Sequence, residues 1–253
     1  MTGQAGRVGA DYLRHAAVAA ADLKAASFTA LDLAPDAWVL DVGCGPGADV
    51  RALAPSTGRV VGMDVDAELL AVAAQAAGAS NVDLLRGDAA RLPFADSSFD
   101  ATRSERMLQH VREPSAVIGE LARVTRGGGR VVLIDTDWTS LSIGCGALDL
   151  ERLVVASLLR RVARHPDAGR ELLHAVAGLP LDVVSVTVHP LTSGDLDMVR
   201  AIAHLDLAEE GAAEDGTLSG AELDRWRGAL RAAAEQGTLF ATINLVLLVA
   251  RRR

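Results

Sequence analysis

An alternation limits the fold of this chain more than any other feature. Between Trp38 and Asp137, short apolar runs that end on Gly or Asp alternate with stretches of helical spacing. "WVLDV", "GRVVGMDV", "NVDLLRGD", "FDATRSE" and "GGGRVVLIDTD" read as strands. Helices are predicted to start near Gly47, to cover 67–77 with Asp66 as N-cap, and to cover 114–124. Strands that alternate with helices build a parallel sheet through crossover connections. The expected class is therefore α/β, a doubly wound Rossmann-like sheet.

The second half changes style. Residues 148–176 read as one or two helices broken near His165-Pro166, and "LDVVSVTVHPL" alternates as a sixth strand. Residues 195–207 and 221–235 read as helices joined by the polar "EEGAAEDGTLSG". The apolar run over 239–250 is too short to cross a bilayer and reads as a last, buried strand. At the other end, a helix is expected over about 10–33. Half of the 253 residues are hydrophobic, enough for a sizeable core, and no linker marks a boundary. We expect a single domain over 1–253. Within it lie an N-terminal helical segment (1–34), a core (35–137), a helical lid (138–180) and a C-terminal part of the sheet with inserted helices (181–253).

A formal net charge of −8 without a dense basic patch leaves no electrostatic footprint for nucleic acid, and Arg251 to Arg253 read as a solvated tail. No charged start followed by an apolar run suggests a signal, so no membrane association is expected. Cys44 and Cys145 fit no metal spacing and read as reduced thiols of a cytoplasmic protein. His165, His174, His189 and His204 are scattered, and no metal site is expected.

The chemistry concentrates in "VLDVGCGPGADV", residues 39–50. Gly43, Gly45 and Gly47 let the chain turn sharply and let a ligand approach bare backbone. With Asp64 about 20 residues on, the stretch also satisfies the loose dinucleotide pattern, so a nicotinamide-dependent oxidoreductase is a competing reading. Asp41 weighs against it, because a fixed carboxylate there is a poor neighbour for pyrophosphate. Pro46 removes a backbone donor, and Asp88 adds an acid at the end of the third strand. Three acids at the carboxyl ends of three adjacent strands suit a ligand with a cationic aminoacyl end, a ribose and an adenine. S-adenosylmethionine is such a ligand.

The ordered motifs "VLDVGCGPG", "VVGMDVDAELL", "GDAARLPFADSSFD" and "MLQHVREPSAVIGELARVTRGGGRVVLID" resemble the class I S-adenosylmethionine-dependent methyltransferases, of the kind that includes ubiquinone/menaquinone-biosynthesis enzymes and actinobacterial tailoring enzymes. The resemblance covers roughly residues 31–135. It implies a seven-stranded sheet, mostly parallel with an antiparallel last strand, under a helical lid. It implies S-adenosylmethionine as cofactor and S-adenosylhomocysteine as product. It places Asp41, Gly43, Gly45, Gly47 and Ser104 near the aminoacyl end. Tyr12 is a candidate to close over that end from the N-terminal helix, with core packing as its other reading. Asp64 and Val65 fall at the ribose, and Gly87, Asp88 and Ala89 at the adenine. The chain departs from the family in the turn before the fifth strand, where proline is usual and Gly127-Gly128-Gly129 stand here, and in the charged "ATRSERMLQH" of the fourth strand.

Methyl transfer is an in-line displacement that needs alignment and exclusion of water, and a base only where the acceptor must lose a proton. His110, Asp135 and Asp137 are the candidates for acid-base or orienting work. A structural hydrogen bond is the other reading of His110, and capped turns are that of the two acids. Glu105 is a candidate contact or an ion-paired carboxylate, and Trp138 a pocket wall or core packing. The expected function is methyl transfer to the oxygen, nitrogen or carbon of a small organic acceptor, in secondary metabolism, by a monomer or homodimer. An S-adenosylmethionine-binding protein that catalyses a rearrangement or cyclisation without methyl transfer is the alternative from another class.

Overall fold

The computed structural model describes residues 21–253 except 77 and 79, so Tyr12 and the part of the first expected helix before residue 21 lie outside the described residues. Nine α-helices and seven strands are present among those described. In chain order they are α1 (Ala21–Ala30), β1 (Trp38–Val42), α2 (Ala48–Leu53), β2 (Arg59–Asp64), α3 (Ala67–Ala76), β3 (Val82–Arg86), β4 (Phe99–Glu105), α4 (Pro114–Val124) and β5 (Thr125–Gly144). Then follow α5 (Leu148–Leu159), α6 (Ala168–Ala175), β6 (Leu181–Ser193), α7 (Leu196–Ile202), α8 (Leu205–Glu214), α9 (Gly220–Glu235) and β7 (Phe240–Arg252).

The strands form one sheet in the order β3-β2-β1-β4-β5-β7-β6. β1 pairs parallel with β2 and β4, β2 with β3, and β4 with β5. The last strand of the chain runs antiparallel, as expected. Parallel pairing brings the carboxyl ends of β1 to β4 to one edge, where Asp41, Asp64, Arg86 and Glu105 lie at or next to the strand ends.

The chain divides into two compact units. One comprises Leu23–Asp135, Ala168–Val188 and Val246–Arg253; the other contains Thr136–Asp167 and His189–Leu245. The first unit has a core of Leu40, Val42, Met63, Ile118, Leu121 and Leu133, all buried. Its local signals are the ones the sequence displays. Asp66 Oδ1 accepts from the Glu68 and Leu69 amides at the start of α3, at 2.8 and 3.3 Å. Pro114 takes the first position of α4, where a missing N–H costs nothing.

In the second unit α5 packs on α8. The buried Glu209 of α8 accepts from Trp226 Nε1 at 3.1 Å and Arg227 Nε at 2.7 Å. Helix α9 opens on a capping box: the Glu222 amide donates to Ser219 Oγ, and Glu222 Oε2 accepts from the Ser219 amide at 2.8 Å. Ser219→Ala is expected to cost about 1 kcal/mol of stability, read as a lowered urea midpoint with an unchanged slope.

Three expectations are corrected. The polar stretch after Leu207 is no linker: helix α8 runs through it to Glu214, and the break falls instead at His204, left-handed at φ 46°. Arg251 and Arg253 are exposed, as expected of a solvated tail, but the end of the chain is tied down. Arg252 Nε donates to the Ala122 carbonyl at 2.9 Å, and Arg253 donates to the Leu179 carbonyl. The Gly127-Gly128-Gly129 run is not a turn before the fifth strand but part of it. β5 begins at Thr125, carries a register shift against β4, and reaches 20 residues. A Cβ at Gly129 would lie 2.4 Å from the Asp100 carbonyl oxygen, so only glycine fits there.

Candidate functional site

The glycine turn leaves β1 at Val42. Gly43, Gly45 and Gly47 adopt φ of 78°, 53° and 74°, the left-handed region that side chains disfavour. The Gly43 and Cys44 amides donate to the Met63 carbonyl at 2.7 and 3.1 Å, which ties the turn to β2. A Cβ at Gly43 would lie 2.6 Å from Met107 Cγ, and one at Gly47 2.8 Å from Ala73 Cβ. A Cβ at Gly45 would meet nothing within 4 Å. The turn is therefore packed at both ends and bare in the middle.

Asp64 closes this turn. Its Oδ2 accepts from the Gly45 amide at 2.8 Å, and its Oδ1 from the Asp66 amide at 2.9 Å. Val65 beside it is exposed, and its carbonyl accepts from Arg86 Nε. The Gly87 amide donates to the Asp64 carbonyl at 3.0 Å, so the third strand's end is stitched to the second's. Asp88 is exposed, with Oδ1 capping the Ala90 amide at 2.9 Å, and Ala89 is half-buried. Asp41, Gly43, Gly45, Gly47, Asp64, Gly87 and Asp88 thus come together along one edge of the sheet.

Asp41 is buried, and its nearest charge is internal. Arg103 Nη1 lies 3.1 Å from Asp41 Oδ1 and 2.9 Å from Asp49 Oδ2, while Arg103 Nη2 pairs with Glu105. Lys24 Nζ lies 2.6 Å from Asp49. Burial pushes the Asp41 carboxyl up to about 6, Asp49 and Glu105 add to this, and Arg103 opposes it. Burial would raise Asp49 as well, but Arg103 and Lys24 overcome it and hold that carboxyl below the usual range. Cys44 is a free thiol pushed far up, by burial first and then by Asp41 and Asp64, so it is no nucleophile. Ser104 Oγ is buried with no hydrogen-bond partner among the described residues.

His110 ends a short 3-10 turn, Leu108–His110, and is exposed. Partial desolvation lowers the pKa of its ring, which leaves it neutral near pH 7. Buried Asp135 holds this turn through the Gln109 amide, 3.1 Å from Asp135 Oδ2, rather than through the imidazole. Asp137 belongs to the other compact unit, where its Oδ1 accepts from the Thr139 amide and hydroxyl at 3.1 and 2.5 Å. Trp138 in that unit is buried, with its ring 5.2 Å from that of His204. No group of histidines, cysteines and acids among the described residues could hold a metal ion.

Lys24, Asp49 and Arg103 went unrecognised as site residues in the sequence. They come from α1, α2 and β4, and no local spacing joins them. The charged fourth strand was the one visible trace.

The residues fit the expected cofactor on structural grounds: a bare Gly45, an acid fixed at the neighbouring strand end, and an exposed apolar residue, Val65, beside that acid. The methyltransferase domain family matches residues 40–133. The chain is 34% identical over 241 residues to an uncharacterised 37.1 kDa protein in transposon TN4556 of Streptomyces fradiae, covering 92% of this chain and 68% of that one. It is 35% identical over 153 residues to a demethylmenaquinone methyltransferase of Mycobacterium sp. strain KMS, covering 60% of this chain and 64% of the relative, just under two thirds. Among solved structures, geranyl diphosphate C-methyltransferase of Streptomyces coelicolor A3(2), in complex with Mg2+, geranyl diphosphate and S-adenosylhomocysteine, superposes with a TM-score of 0.58 at 20% identity. That match covers 92% of this chain and 80% of the other. The chain belongs to the class I S-adenosylmethionine-dependent methyltransferases, enzymes that take S-adenosylmethionine as cofactor.

Proposed function

We propose that this protein transfers the methyl group of S-adenosylmethionine to a small organic acceptor. The observation that carries the reading is the bare turn at Gly45, held open by the Asp64 carboxylate. When bound, the cofactor supplies an electrophilic methyl group on sulfonium, so the protein need not form a covalent intermediate. In this reading the Asp64 carboxylate, already fixed by two backbone amides, accepts the ribose hydroxyls beside Val65. Asp88 accepts from the adenine amino group between Gly87 and Ala89. The turn from Gly43 to Gly47 receives the aminoacyl end, with the Ser104 hydroxyl, unpartnered among the described residues, as a further contact.

The acceptor's proton, where one must leave, goes to His110, whose neutral ring can take it. Asp135 holds the turn that carries His110. The small-molecule reading is supported by the acidic surface of the chain, with formal net charge −8. No helix among the described residues is long and apolar enough to cross a membrane. We place the protein in the cytoplasm, as a monomer or homodimer acting in secondary metabolism.

Calorimetric titration with S-adenosylmethionine, with NADH in parallel, tests the cofactor. Binding of the first and not the second is expected. Release of S-adenosylhomocysteine with a methylated product from a panel of phenols, amines and quinols tests the reaction. Product formed without release of S-adenosylhomocysteine would move the protein to the rearrangement class.

A further inference from the structure

Arg103 sits on β4 opposite Asp41 of β1 in the parallel register, with a side chain only 1% exposed. One of its nitrogens, Nη1, bridges Asp41 and Asp49 at 3.1 and 2.9 Å. These acids stand at the two ends of the glycine turn, one before Gly43 and one in the first turn of α2. Its other terminal nitrogen pairs with Glu105, its Nε has no partner among the described residues, and the Phe28 ring lies 5.3 Å from its Cζ. A buried ionic cluster is a poor source of stability compared with apolar packing. Its position at both ends of the turn gives it another use.

We propose that Arg103 is a positioning residue of the cofactor turn: it fixes the turn's two ends on one guanidinium and sets the charge that the turn presents to the cofactor's cationic aminoacyl end. The inference rests on the S-adenosylmethionine reading above. A lysine would not reproduce the arrangement, because the guanidinium reaches Asp41 and Asp49 from one nitrogen and Glu105 from another, and an ammonium has a single nitrogen. The groups that face Asp41 are Arg103 and Glu105 from β4, Asp49 from α2, and Cys44 in the turn, with Lys24 of α1 behind Asp49 and Asp64 beside Cys44. Burial holds the Asp41 carboxyl up at about 6, so by this proposal its charge, and with it cofactor affinity, changes just below neutrality. Arg103 pulls that midpoint down, and Asp49 pushes it up.

The test uses two variants whose shifts have opposite signs. S-adenosylmethionine is titrated by calorimetry from acid to alkaline pH against the wild type, Arg103→Lys and Asp49→Asn. The side-chain carboxyl 13C signal of Asp41 is followed over the same range in the ligand-free proteins. The wild type is expected to lose affinity on the acid side with a midpoint near that of Asp41. Arg103→Lys is expected to move both midpoints up by about one pH unit, and Asp49→Asn to move both down. Loss of fold in a variant cannot produce shifts of opposite sign. Binding by all three proteins with one common midpoint overturns the role of Arg103 and leaves the cofactor reading standing. Failure of the wild type to bind S-adenosylmethionine at any pH overturns both.

Discussion

Asp64→Ala is expected to weaken S-adenosylmethionine binding by about 100-fold, from loss of hydrogen bonds to a charged acceptor worth about 1.5–3 kcal/mol each. The carboxylate has two tasks. It accepts from the Gly45 and Asp66 amides, which fixes the middle of the turn against the end of β2. By the proposed role it also accepts the ribose hydroxyls. Alanine removes both the shape and the acceptor. The side chain is half-buried at a strand end, outside the packed core, so the fold survives. Asp64→Asn separates the two tasks: its amide must turn one N–H toward either the Gly45 donor or the ribose, and an intermediate loss is expected. Calorimetry measures both variants, with thermal melting to show that each is folded. Wild-type affinity in Asp64→Ala would remove Asp64 from the ribose and leave it a turn-forming residue only.

The elements that carry this site were legible in the sequence because each has a local signal. An apolar run stops at Asp41, three glycines follow, and Pro114 starts a helix whose inner face is apolar. The second unit was less legible. His204 breaks a helix by a left-handed backbone that few residues adopt, and no pattern in "AIAHLDLAEE" announces it. The acid-rich stretch that follows looks like a solvated loop because Glu209 looks exposed. In the structure Glu209 is buried and held by Trp226 and two arginines, partners distant in sequence. Arg103 was the largest omission at the site for the same reason. The charge of the fourth strand was visible, but its carboxylate partners lie on three elements, and only the parallel register of β1 and β4 brings Asp41 to it. Strand ends and turns follow from neighbours in sequence, whereas the electrostatics of the turn follow from neighbours in space.

The second large effect sets stability against function at Asp41. Its folded pKa of about 6 lies above the value near 3.9 of an unfolded aspartate. The native state therefore holds this proton more tightly than the unfolded chain does. A raised carboxylate destabilises the fold in full above its folded pKa, and the penalty fades as pH falls toward the unfolded value. Asp41→Asn removes the charge and the penalty, and Arg103 keeps Asp49 and Glu105 as partners, so no buried cation is stranded. The variant is expected to melt about 3 °C above the wild type near pH 8, with the difference closing between roughly pH 6 and pH 4. If the turn receives the aminoacyl end as proposed, the same change removes a negative charge beside the cofactor's ammonium, and binding near pH 8 is expected to weaken about tenfold and to lose its acid limb. A variant less stable than the wild type at every pH would show that the Arg103 pair more than offsets the burial of Asp41. A more stable variant with weaker binding would show that this acid is kept for the cofactor, at a cost to the fold.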